Sequence, residues 1–123
     1  MNALHMARTA YSNTAAPIMT PRGTEYEAFA RITHRLRQAA QDKKLGYAAY
    51  VKALYDNRRL WTLLAANVAD KDNQLPKELR AQIFYLAEFT EKHTADILAK
   101  KADETALIEI NTAIMRGLHR EGK

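Results

Sequence analysis

Apolar positions recur every three to four residues along most of the chain, the spacing of one buried helical face. Between Pro21 and about Ala40 the stripe is Phe29, Ile32, Thr33, Leu36 and Ala40, with Arg31, His34 and Arg35 turned away from it. A second helix is predicted from Leu45-Gly46, carrying Tyr47, Tyr50, Val51 and Leu54, and the same pattern runs on through Trp61, Leu64, Ala65 and Val68. Asp56-Asn57 offers a break within it, and the pattern alone leaves one helix or two. A further stripe of Leu79, Ile83, Leu86, Thr90 and Ile97 follows, and a last one of Leu107, Ile110, Ile114 and Leu118. The alternation of apolar and polar residues that marks a strand is absent.

Punctuation agrees with the periodicity. Thr20-Pro21 offers a hydroxyl N-cap followed by proline at the first helical position, and Leu75-Pro76 starts a later helix. Asp70 to Gln74 is polar and reads as a turn. Asp103 is an N-cap for the last helix, and Gly117, with Arg116 and Arg120 beside it, suits its C-terminal end. The first ten or so residues read as a short helix and residues 12–20 as a loop containing Pro17. The expected fold class is therefore all-α, a single-domain bundle of four to five helices, with residues 1–20 as N-terminal helix and loop and residues 21–118 as the helical core.

Composition narrows this only a little. With 123 residues, 47% of them apolar and 27% charged, the chain suits one domain with a modest core rather than a disordered one. No cysteine is present, which removes disulfides, thiolate metal sites and thiol nucleophiles. No stretch of about 18 apolar residues could span a membrane, and no secretory leader is visible, so the expected location is the cytoplasm. The net charge of +5 is uneven: residues 1–60 hold ten Lys and Arg against four Asp and Glu, residues 61–123 nine against ten. A basic first half could meet an acidic protein surface or RNA, and charge does not choose between them.

Catalytic and metal-binding patterns are missing. His5, His34, His93 and His119 are far apart, without the second histidine one turn away that a zinc helix needs. His93 follows Glu88 and Glu91 but lies on the buried side of its helix, which reads as an ordinary packed or half-exposed histidine. Asp70-x-Asp72-x-Gln74 opens like a calcium loop, yet Leu75 stands where its glycine is required and Ala81 where its bidentate glutamate is required. There is no nucleophile elbow and no glycine-rich phosphate loop. The chain is expected to be non-enzymatic, with no cofactor and no metal.

What remains is surface. Asp56-Asn57-Arg58-Arg59-Leu60-Trp61 sets two guanidinium groups beside an indole. Trp61 continues the buried stripe and reads as core, while Arg58 and Arg59 are either a docking patch or simply solvated or paired with Asp56. Ile83-Phe84-Tyr85-Leu86-Ala87-Glu88-Phe89 carries more aromatics than one stripe can bury: Phe84 lies about 140° and Tyr85 about 120° from Leu79. Either that helix is surrounded by others or it offers an aromatic face to a partner helix.

At these residues the sequence resembles the FlaF family of flagellar biosynthesis regulators. The likeness runs nearly end to end, through Ala10-Tyr11, Thr20 to Tyr26, Phe29 to Thr33, Asp56 to Trp61, Leu79 to Thr90 and Ile110 to Leu118. It implies a cytoplasmic helical protein needed for flagellin production and export, a secretion chaperone or regulator that engages flagellin alongside a FlbT-type translational regulator. The binding surface expected on that basis is a groove lined by Phe84, Tyr85 and Phe89 with Arg58 and Arg59 at its rim, holding a terminal amphipathic helix of flagellin. The alternative is a post-transcriptional regulator of flagellin acting through RNA or through the FlbT-type partner. Against RNA, the basic residues alternate with acids and no RNA-binding fingerprint is present.

Overall fold

The structure, a computed structural model, describes the backbone of residues 22–73 and 76–121 and the side chains of residues 26–73 and 76–116. The expected N-terminal helix, the loop at 12–20, the Thr20-Pro21 start and the side chain of Leu118 lie outside the described residues. Among the described residues, four α-helices follow one another: α1 Arg22–Gln41, α2 Gly46–Ala69, α3 Lys77–Leu98 and α4 Thr105–Glu121, with a 3-10 turn at Lys43–Leu45 between the first two. The fold is all-α, and no strand occurs among the described residues.

Each connection is built from local polar chemistry. Asp42 accepts the Lys44 backbone N–H at 3.0 Å, and Gly46, at φ +87°, takes the left-handed turn into α2 that a side chain would resist. Asp70 accepts the Asp72 N–H at 2.8 Å, and Asn73 donates its side-chain amide to the Asn67 carbonyl at 3.1 Å. Lys100, at φ 63°, closes the end of α3 where glycine is usual, and its ammonium lies 5.1 Å from the centre of the Tyr47 ring.

Asp103 caps the last helix by accepting the Thr105 N–H at 2.9 Å. Hydrogen bonds from the Thr105 backbone, then from its side chain, hold this carboxyl below its ordinary range. Its folded-state pKa is thus lower than its unfolded one. The stabilisation is present above the unfolded value of about 3.9 and is lost as pH falls through the folded value. Asp103→Ala is expected to lower the melting temperature at pH 7, with the gap to the wild type closing in scans below about pH 4. A gap that stayed constant down to the lowest pH would show that the carboxylate does not act as the cap.

One open question is settled and one expectation is corrected. Helix α2 runs through Asp56-Asn57 without a break, because the Asn57 side chain turns into the core and bonds there instead of competing for its own backbone. Helix α4 likewise continues past Gly117 to Glu121, so that glycine does not end it.

Short connections join the helices into an up-and-down bundle in which α1 lies against α2, α2 against α3, and α4 returns against α1. The core has two apolar clusters. One gathers Phe29, Leu60, Trp61, Leu64, Val68, Leu79, Ile83, Ala87 and Ile114; the other gathers Leu36, Ala53, Leu54, Ile97 and Leu107. On every helix a buried polar residue stands between its contributions to the two: Thr33 on α1, Asn57 on α2, Thr90 and Thr94 on α3, Asn111 on α4. A polar layer therefore crosses the middle of the bundle.

Candidate functional site

The centre of the polar layer is Asn111. Its side-chain oxygen accepts the Trp61 indole N–H at 3.0 Å, and its amide nitrogen donates to the Thr33 hydroxyl at 3.0 Å and to the Asn57 side-chain oxygen at 2.6 Å. The indole N–H can only donate, so it dictates which end of the Asn111 amide faces it, and Asn111 in turn orients Asn57. Every member is buried and none is titratable, so the layer sets the register of α1, α2 and α4 and carries no acid–base chemistry. Among the described residues, no three His, Asp or Glu side chains gather as metal ligands.

His93 is half-buried, with its Nε2 3.0 Å from the Asp103 carbonyl oxygen and its ring stacked on Phe89 at 5.1 Å between centroids. Its position thus ties α3 to the α3–α4 connection. Tyr50 does the same for the start of α2, donating to Glu104 Oε1 at 2.8 Å. Burial, followed by that hydrogen bond and the Glu104 charge, holds the Tyr50 hydroxyl above the usual tyrosine range.

The five residues expected to form one groove divide among three faces. Arg58 crosses from α2 to α3 and grips Glu91 with two bonds, Nη2 to Oε2 at 2.7 Å and Nε to Oε1 at 2.8 Å. Both ends are about half exposed, so solvent screens the pair and it sets geometry more than stability. Phe84, 40% exposed, precedes Glu91 by two helical turns and shares this α2–α3 flank. Tyr85, 64% exposed, and half-buried Phe89 lie one turn apart on the opposite flank, the one His93 directs toward α4. Arg59 is exposed on the α1 side of α2, without an ion-pair partner among the described residues. Asp56 pairs with Lys52 at 3.3 Å and with neither arginine. Among the described residues helix α3 is thus not surrounded, and its extra aromatics Phe84 and Tyr85 are exposed.

The α3–α4 side differs from the other three. Helices α3 and α4 approach each other less closely than α1–α2, α2–α3 or α1–α4 do. Leu86 on α3 and Ile110 and Met115 on α4 are only partly buried against the core cluster. The sequence stripes contain Leu86 and Ile110 but give no sign of how far apart their helices stand. Leu63 and Tyr55, exposed on α2, escape the helical pattern because each lies off the Leu54-Trp61-Leu64 stripe.

Taken together, these features define a small up-and-down helical bundle with a polar central layer and outward-facing apolar and arginine-bearing helix faces. No helix among the described residues is long and apolar enough to cross a membrane. Over residues 7–118 the chain matches the family described as flagellar protein FlaF, and it belongs to that family, whose role is in flagellar biogenesis. No curated protein and no solved structure matches the chain. Three of the segments that carry the likeness are joined by hydrogen bonds in the polar layer, supplying Thr33, Asn57 with Trp61, and Asn111, and a fourth supplies the buried Thr90. These segments therefore encode the packing of the bundle as much as any surface.

Proposed function

We propose that the protein is a cytoplasmic, non-enzymatic secretion chaperone that holds a terminal amphipathic helix of flagellin along its α3–α4 side. The observation that supports this reading is the loosely closed fourth side of the bundle, with Tyr85 exposed and Phe89 half-buried along it. An amphipathic helix docks in such a groove by laying anchors at i, i+3, i+4 and i+7 against apolar side chains. An aromatic ring with a polar tip suits the edge of that contact, because the ring is covered while the hydroxyl stays in water.

Size-exclusion chromatography with light scattering, on the protein mixed with full-length flagellin and with flagellin trimmed at either end, tests it. A 1:1 complex lost with one terminal segment is the expected result. Tyr85→Ala and Phe89→Ala should each weaken the complex by about tenfold or more, the size of an interface anchor. Phe84→Ala, on the other flank of α3, should leave it intact. The melting temperature of Tyr85→Ala should stay near that of the wild type, since the ring is largely exposed. Absence of any complex with full-length flagellin would overturn the chaperone reading and leave regulation through a FlbT-type partner or RNA.

A further inference from the structure

A second surface lies on the α1–α2 side, away from both aromatic flanks of α3. Between the two helices runs an open groove of about 370 Å³, bounded by Arg35 and Lys52, with Ala39, Ala49 and Ala53 among its lining residues and Leu45 at one end. Alanines at these positions hold the groove open, because larger side chains would fill the space between the helix backbones. Leu45 is an exposed apolar residue.

The charge around the groove is one-sided. Arg31 lies one turn before Arg35 on the same exposed face of α1, and Arg59 lies one turn beyond Asp56 on α2. None of the three guanidinium groups has an ion-pair partner among the described residues. The carboxylate on the groove, Asp56, is taken up by Lys52. The next carboxylate along this face, Glu27, stands beyond Arg31 at the far end. Three arginines without an ion-pair partner among the described residues thus face solvent, Arg35 on the lining of the alanine-bearing trough and Arg31 and Arg59 one turn beyond it.

We infer that this groove docks an acidic amphipathic helix of a partner protein, its small apolar side chains seated between α1 and α2 and its carboxylates gripped by Arg31, Arg35 and Arg59. Guanidinium groups match carboxylates two bonds at a time, which fixes register as well as sign. RNA is the poorer fit. The groove's lining contains no aromatic ring to stack a base, and the floor is apolar where a phosphate backbone would run. With the α3–α4 side on the opposite part of the bundle, the protein can hold two helices at once.

The chain has no cysteine, so Ala49→Cys gives a single attachment point for an environment-sensitive fluorophore in the groove. The probe is a synthetic peptide of ~20 residues, long enough to be helical, with Leu and Ala on one face and Glu on the other. The same peptide with Lys in place of Glu, and a uridine oligonucleotide, are the comparisons. The acidic peptide should change the fluorescence and bind at least about tenfold more tightly than its lysine counterpart, with affinity falling as salt rises. Arg31→Glu/Arg35→Glu/Arg59→Glu should abolish this binding, and Arg31→Gln/Arg35→Gln/Arg59→Gln should weaken it by about tenfold with the helical circular dichroism unchanged. Tyr85→Ala should leave it untouched. Equal binding of both peptides, tighter binding of the oligonucleotide, or no change with the glutamine variant would each overturn the inference. The test contains no flagellin, so its result is independent of the chaperone reading.

Discussion

Trp61→Ala is expected to destabilise the protein by about 3–5 kcal/mol, the range for emptying a buried aromatic site. The indole is 1% exposed and meets Phe29 edge-on at 5.8 Å between ring centroids, so its removal opens the centre of the larger apolar cluster. It also strips Asn111 of the donor that orients it, and an orphaned buried polar group adds a further cost of about 1–3 kcal/mol. A domain of this kind holds roughly 5–15 kcal/mol in all, so this variant should lose a large share of its stability. Trp61→Phe separates the two effects: it keeps most of the apolar volume and loses the N–H, and should cost about 1–3 kcal/mol. Urea unfolding followed by circular dichroism is the measurement, since the chain's only tryptophan is the residue replaced. An alanine variant within about 1 kcal/mol of the wild type would mean that the ring does not occupy the core.

Asn111→Ala should cost about 3 kcal/mol or more, although the side chain it removes is polar and of modest size. The reason is the number of groups left behind: the Trp61 N–H, the Thr33 hydroxyl and the Asn57 amide all lose their partner in a place that water does not reach. Asn57→Ala should cost less, because its amide nitrogen has no partner to lose. The two changes share one bond, so the double variant should be milder than the sum of the singles by about 0.5–3 kcal/mol. Strict additivity in the same urea titrations would show that the Asn57–Asn111 bond contributes nothing. Because the layer joins α1, α2 and α4, these variants should also loosen the bundle that positions both proposed docking faces.

Much of the bundle is legible in the amino-acid order. Stripes at helical spacing, Pro76 and Asp103 mark three of the four helices near their observed bounds, because caps and periodicity are local properties of the chain. Trp61 reads as core for the same reason, and it is core. The continuous α2 is not legible: an asparagine in a helix can break it or turn inward, and the choice depends on a partner 54 residues away. Gly117 misleads in the opposite way, since its low helix propensity, a cost of about 1 kcal/mol, is not enough to stop α4.

For the surface the limit is sharper. Helical spacing tells which residues of one helix share a face, but it carries no information about which neighbour that face meets. The five residues expected in one groove therefore separate: Phe84 shares the α2–α3 flank with the Arg58–Glu91 grip, which spans 33 residues, while Tyr85 and Phe89 fall on the flank toward α4. What the amino-acid order determined by itself was the helices, their buried stripes, the excess of positive charge and the membership of the FlaF family. What only the tertiary structure decided was the polar layer, the loosely closed α3–α4 side and the arginine-bordered α1–α2 groove, because each joins side chains from helices whose mutual placement is set by packing over long sequence distances.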